Sequence, residues 1–271
     1  MSVSIIIPAR NEELNIRQCL TSLLNQKVKS EKIVIVLDRC TDKTEKIIDE
    51  FIANDSTIIK IVKNHSKYNK SIHKGFIIAE VINVGLKSLD NSSEFIMICN
   101  ADSIYSENYI EETINVFRDN DDCVIVGYTD YHAVSGSGYT IKTEFLQKIG
   151  GQIKECAAED TYIQFTALRY GYSIKPIKNI SITFQRKRGE GKISDKIKYM
   201  FSKGYAGYTL GFSFYYEILK VGYWILKGKF TAIGIIVGFV YSYLSHKEKL
   251  DIAYTDIPKI WQKQRIKETF K

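Results

Sequence analysis

Three apolar, largely β-branched runs each end in a polar turn that carries acid side chains, and this leaves few folds open. Residues 3–7 run into Pro8-Ala9-Arg10-Asn11-Glu12. Residues 33–37 run into Asp38, and residues 95–98 pass through Cys99 into Asn100-Ala101-Asp102. Unbroken apolar runs bounded by turn formers read as strands buried on both faces, as in a parallel sheet. Between them lie amphipathic stretches. A helix is expected to open at Asn11-Glu12-Glu13 with Leu14, Cys19, Leu20, Leu23 and Leu24 as its apolar face. Two more are expected, one following Thr44 with Ile47, Ile48, Phe51 and Ile52 on one side, and one over residues 76–89. Strand–helix alternation of this kind predicts an α/β fold, a mostly parallel Rossmann-like sheet flanked by crossover helices. Loops after the strands of such a sheet collect at one edge, where ligands bind. The acid-ended turns also have a local explanation, because Asn and Asp favour turns anyway.

Charge is uneven along the chain. Residues 1–185 hold 21 Lys+Arg against 24 Asp+Glu, whereas residues 186–271 hold 17 against 7. A basic tail suits nucleic acid, an anionic membrane or a phosphorylated substrate. Nucleic-acid binding would explain the tail but not the carboxylate-ended strands, so no nucleic-acid partner is expected. Five scattered cysteines signal neither a disulfide framework nor a zinc site. The N-terminus enters a strand directly and has no basic, apolar leader, so a cytoplasmic location is expected. No G-x-G-x-x-G or Walker loop follows the first strand. Phosphates would therefore be met by a metal and by basic side chains.

The residues carry a resemblance. Ile5-Ile6-Ile7-Pro8-Ala9-Arg10-Asn11-Glu12-Glu13, then Asp38-Arg39-Cys40-Thr41-Asp42-Lys43-Thr44, then Asn83-x-Gly85, then Asn100-Ala101-Asp102 stand in the order of the motifs of family-two glycosyltransferases. The chain resembles these inverting, nucleotide-sugar-dependent enzymes of the GT-A fold over about residues 3–185. The resemblance implies that Pro8, Ala9, Arg10, Glu12, Leu37, Asp38, Asn83, Asn100 and Ala101 contact the nucleotide. It implies that Asp102 holds Mg²⁺ or Mn²⁺, ions suited to oxygen ligands. Asn100 stands where the family usually has Asp, and an amide oxygen binds a cation more weakly.

The second half adds Glu159-Asp160 at the start of an expected helix. Acids at a helix N-terminus are favoured on electrostatic grounds alone. The resemblance gives Asp160 the role of catalytic base, with Glu159 positioning it or binding acceptor. Gln185-Arg186-Lys187-Arg188-Gly189 is partly similar to a signature of processive members but lacks its Trp. Arg186 and Arg188 are the expected diphosphate contacts. Residues 136–138 read as a flexible segment.

The tail changes character. Residues 195–226 read as one long aromatic-rich helical region, and residues 230–244 follow without a charge. Fifteen uncharged residues fall short of the ~20 that span a bilayer. With lysines on both flanks, this segment is expected to lie at a membrane interface or to pack on the body or a second copy in a homodimer. The expected organisation is a catalytic domain over residues 1–190 and a basic helical extension over 191–271. The expected activity is transfer of one sugar from a nucleotide diphosphate sugar to a hydroxyl acceptor, a lipid-linked saccharide or a polysaccharide. It would occur with inversion and metal assistance, peripherally at the cytoplasmic face of the cell membrane. The alternative is an inactive nucleotide-sugar-binding scaffold.

Overall fold

β1 (Val3–Ala9), β2 (Lys32–Asp38), β3 (Ile58–Lys63) and β4 (Phe95–Ile98) pair in parallel, in the spatial order β3-β2-β1-β4. The structure is a computed structural model that describes residues 1–68, 74–90, 92–129, 134, 136–177, 180–186 and 193–269. Ile5, Ile6 and Ile7 of β1, and Ile33, Val34 and Ile35 of β2, are fully buried. Burial on both faces is why these strands read as continuous apolar runs and not as alternation.

Later strands are shorter. β5 (Ser103–Tyr105) and β9 (Ile182–Phe184) make a separate antiparallel pair. β6 (Cys123–Gly127), β7 (Tyr139–Lys142) and β8 (Ser173–Pro176) extend the main sheet to β3-β2-β1-β4-β7-β6-β8. β7 runs antiparallel to both β4 and β6, so the sheet is mostly but not wholly parallel. The chain lays β2 and β3 on one side of β1 and then returns to place β4 on the other. The loops after β1 and β4 therefore diverge, which opens a crevice at the carboxyl ends of those strands.

Two compact units form. Unit 1 comprises Met1–Asn69, Ile77–Ile153 and Tyr172–Lys187; unit 2 comprises Lys70–Phe76, Lys154–Gly171 and Arg188–Lys271. The stretch Lys154–Gly171, expected within a domain over residues 1–190, thus groups with the C-terminal helices.

In unit 1, α1 (Ile16–Leu24) buries Ile16, Cys19, Leu20 and Leu23, one face at helical spacing. The expected start at Asn11 is corrected. Asn11 has φ 53° and residues 13–15 form a turn, so Leu14 is 84% exposed instead of on the apolar face. α2 (Thr44–Ile52), α4 (Tyr109–Arg118) and α5 (Thr143–Lys148) also belong here, and α3 (Lys74–Leu86) follows β3. A Cβ on Gly85 would stand 2.7 Å from Ile6 Cγ2, so glycine lets α3 lie against β1. Residues 136–138 are not a loose segment. Ser137 is fully buried, and Gly138, at φ 75°, leaves no room for a side chain beside Tyr109.

Unit 2 holds α6 (Glu159–Arg169), α7 (Ile193–Thr209), α8 (Phe214–Leu226), α9 (Ile233–Leu244) and α10 (Ile257–Thr269). The expected single helix over 195–226 is broken. Gly211 takes φ 82°, and Ser213 caps α8 by accepting from the Tyr216 N–H at 3.2 Å. Phe165, Leu210 and Ile252 pack with Phe212 and Trp261, whose rings stack 5.4 Å apart. α7 and α9 meet backbone to backbone. Any Cβ on Gly204 would strike the Ile235 carbonyl, and one on Gly238 would strike that of Phe201. Among the described residues, no helix is long and apolar enough to cross a membrane.

Candidate functional site

The loops after β1 and β2 are laced together by their own polar residues. Asn11 Oδ1 accepts from the Thr41 N–H at 2.8 Å, and the Glu12 N–H donates to Thr44 Oγ1 at 2.7 Å. The Glu13 N–H donates to Asp42 Oδ2 at 3.1 Å, while Glu13 Oε2 accepts from the Lys43 N–H at 3.0 Å. Burial opposes the charge on Asp42, but the Thr44 hydroxyl and the backbone donors outweigh it and hold the carboxyl below its ordinary range. Much of the Asn11-Glu12-Glu13 and Thr41-Asp42-Lys43-Thr44 pattern therefore fixes loop shape and leaves other side chains to face a ligand.

Asp38 ends β2 almost fully buried, at 2% exposure. Arg39, at φ 51°, turns back on it with Nε 2.9 Å from Oδ1 and Nη2 2.6 Å from Oδ2. Lys63 Nζ stands 3.5 Å away and Arg10 Nη1 3.9 Å away. Sequence reasoning passed over Lys63, although its place at the end of a third parallel strand was the available signal. Pro8 and Ala9 sit opposite Val36 and Leu37 in the β1–β2 register, past the last pairing of β1 with β4. Ala9, Leu37 and Ala101 are buried, so only their backbones can reach a ligand.

The turn after β4 is held from behind. The Asn100 N–H reaches Tyr105 Oη at 3.2 Å and Ser137 Oγ at 3.3 Å, and those two oxygens lie 2.8 Å apart. From the end of β9, the Gln185 N–H donates to the Asp102 carbonyl at 2.9 Å, and its side-chain Nε2 donates to the Asn15 carbonyl at 3.0 Å. Gln185 thereby ties β9 to both walls of the switch-point crevice. Next to it, Arg186 Nη2 lies 2.7 and 2.6 Å from the two Glu12 oxygens, and Nε lies 3.8 Å from Asp102 Oδ2. Glu12, Asp102 and Arg186 come together although up to 174 positions separate them. Arg188 lies outside the described residues.

Asn83 is placed elsewhere. It is buried, its Nδ2 donates to the Ile153 carbonyl at 2.9 Å, and its Oδ1 accepts from the Ile153 N–H at 2.8 Å. With both ends of the amide engaged, Asn83 clamps the backbone of Ile153.

Within unit 2, Glu159 and Asp160 open α6. Asp160 Oδ1 accepts from the Thr161 N–H at 2.7 Å. Surrounding protein, and then the charge of Asp160, push the Glu159 carboxyl well above its ordinary value. Gly75 adjoins this pair, since a Cβ there would come 2.5 Å from Glu159 Oε2.

Among the described residues, no group of three or more His, Cys, Asp or Glu side chains gathers as a metal cage. Asp102 offers one carboxylate, with the Asn100 amide two residues before it. Mg²⁺ and Mn²⁺ are commonly held by one or two carboxylates plus substrate phosphates, so this donor set fits such an ion. The Arg186 guanidinium beside Asp102 already stands in as a cation at this point.

Comparison with known proteins follows the same lines. Residues 4–174 match the family model described as glycosyl transferase family 2. The chain is 25% identical over 138 residues to glycosyltransferase GlyG of Streptococcus pneumoniae, covering 51% of this chain and 42% of that protein. It is 27% identical over 154 residues to putative glycosyltransferase EpsH of Bacillus subtilis, covering 57% and 41%. The matches therefore span well under half the length of these curated relatives. In fold it is similar to mannosyltransferase PcManGT from Pyrobaculum calidifontis, solved with GDP-Man and Mn²⁺, with a TM-score of 0.62 at 13% identity over 97% of this chain and 84% of that one. S. aureus TarS in complex with UDP-GlcNAc gives 0.54 at 17% identity, over 74% and 66%. The architecture is that of the GT-A fold.

Proposed function

The chain belongs to glycosyl transferase family 2, and from that premise we propose that it moves one sugar from a nucleotide diphosphate sugar to a hydroxyl acceptor with inversion. The observation that carries this reading is the convergence of Glu12, Asp102 and Arg186 on the crevice between β1 and β4. In this reading the Asp38 cluster and the backbones of Pro8, Ala9, Leu37 and Ala101 receive the nucleoside, and Arg186 meets the diphosphate. Asp102, with Asn100, would hold Mg²⁺ or Mn²⁺. When bound, the ion neutralises charge on the leaving diphosphate.

Asp160 takes the proton from the acceptor hydroxyl as that oxygen bonds to the anomeric carbon. The bond from that carbon to the diphosphate oxygen breaks on the opposite side, and the electron pair leaves with the nucleoside diphosphate. Glu159, its carboxyl pushed upward by burial and by the charge of Asp160, positions that residue or binds the acceptor. That GDP-Man with Mn²⁺ and UDP-GlcNAc occupy structures of this fold supports a nucleotide-sugar donor here.

The acceptor we favour is a lipid-linked saccharide, with the protein peripheral at the cytoplasmic membrane face. α9 supports it. At ~1.5 Å per residue its 12 residues measure about 18 Å, short of the ~30 Å hydrocarbon core. Ile233, Val237, Tyr241 and Leu244 nevertheless lie exposed along one side of it. Lys229 stands 4.0 Å from the centre of the Trp224 ring, a pairing suited to lipid headgroups.

A thermal-shift panel of UDP-, GDP- and dTDP-sugars, with and without Mn²⁺, tests the proposal. Stabilisation by one donor, enhanced by metal, is expected. No shift with any donor would leave the chain a scaffold and overturn the transferase reading.

A further inference from the structure

We propose that Arg186, held on Glu12 beside the metal carboxylate Asp102, is an internal counter-cation that opposes a divalent ion there until a diphosphate draws it away, so that divalent ion and donor bind together and each binds poorly alone. The inference rests on the donor-site reading given above and adds a regulation to it. Arg186 could instead be an ordinary surface ion pair, since such pairs contribute little. Its surroundings argue otherwise. The Glu12 side chain it grips is only 12% exposed, and its Oε2 also accepts from Asn15 Nδ2 at 2.7 Å. The residue before it is fastened at two points, to Asp102 and to Asn15, so the start of the arginine side chain is not free to wander.

The charge arithmetic then sets the order of events. Glu12 and Asp102 bring two negative charges and Arg186 one positive, which leaves room for one more positive charge and not two. A divalent ion arriving alone at Asp102 meets the guanidinium 3.8 Å from the same carboxylate, so the two cations compete. A diphosphate brings its own negative oxygens, and the planar guanidinium suits phosphate as well as carboxylate. Arg186 can then turn to the phosphates and Asp102 is released to the ion. Competition becomes cooperation, and linkage requires the effect to be reciprocal.

The test reads binding, not turnover. Free Mn²⁺ is followed by electron paramagnetic resonance with the full chain alone, and UDP and GDP are titrated separately in chelator. Arg186→Gln is expected to bind Mn²⁺ alone about tenfold more tightly than wild type while binding the nucleoside diphosphate more weakly. Glu12→Gln should act the opposite way on Mn²⁺ alone, because Arg186, freed from Glu12, moves fully onto Asp102. Unchanged or weaker Mn²⁺ binding in Arg186→Gln overturns the proposal. If that variant does not fold, unchanged or tighter Mn²⁺ binding in Glu12→Gln overturns it instead. Wild type that binds neither nucleotide, with or without Mn²⁺, sinks the donor-site reading together with this one. Normal nucleotide binding with no Arg186 effect on Mn²⁺ sinks this inference alone.

Discussion

Replacing Asn83 by alanine separates two incompatible jobs for one residue. The resemblance to the family gives Asn83 a nucleotide contact, whereas the structure commits both ends of its amide to the backbone of Ile153, which is 2% exposed. Truncation leaves a buried N–H and a buried carbonyl without these partners, at about 1–3 kcal/mol each. Alanine recovers up to ~0.7 kcal/mol through its better helix propensity. The net loss is about 1.5–6 kcal/mol. With a urea slope of about 2 kcal/mol/M, the midpoint should fall by about 0.7–3 M. Far-UV circular dichroism is the appropriate signal, because both tryptophans, Trp224 and Trp261, lie in unit 2. Asn83→Asp sharpens the test. Its carboxylate still accepts from the Ile153 N–H but opposes the Ile153 carbonyl, and protonation restores a donor, so its deficit should shrink in acid. A midpoint equal to wild type, together with lost nucleotide affinity, would refute the clamp and return Asn83 to the nucleotide pocket.

Asp160→Asn should keep donor binding in the thermal-shift assay while transfer falls by at least about 10²-fold, the usual scale of a lost general base; near-normal turnover would move the base elsewhere. Glu159 is held above its ordinary value of 4.5, so the unfolded chain loses that proton first as pH rises. Its contribution to stability is therefore fully present below about that value and is lost as pH climbs towards the raised folded value. Glu159→Gln should flatten this part of the stability–pH curve, and an unchanged curve would contradict the assignment. For the tail, Lys227→Glu with Lys229→Glu should weaken co-sedimentation with anionic vesicles by about tenfold or more, at about 1 kcal/mol per lysine. Equal binding to neutral and anionic vesicles would count against headgroup contact.

The long buried strands were legible because a strand covered on both faces leaves an unmistakable apolar run. β7 and β8 were not, being four residues each and stabilised by remote pairings such as Ile96 with Ile141. The break between α7 and α8 was in plain view as Gly211 and Ser213, a left-handed stop followed by an N-cap, but aromatic continuity masked it. At the site, Asp38, Glu12 and Asp102 could be named from their positions at strand ends. Their partners could not, since Lys63 and Arg186 reach them only through sheet register and through β9. Asn83 shows what motif likeness leaves out. Similarity records that an asparagine belongs there without saying which atoms it serves.

The backbone contact between α7 and α9 has a consequence for how the tail tolerates mutation. Gly234, Ile235, Gly238, Phe239 and Ser242 turn inward, and the rest of α9 carries its apolar side chains outward. Ile233, Val237 and Leu244, more than half exposed, thus add little to the folded state of this chain, and polar replacements there should pass unnoticed in any screen for stability. A single methyl group on Gly204 or Gly238 should be ruinous in the same screen. The two sides of one helix are subject to different tests, one set by the fold and the other by whatever the outer side meets.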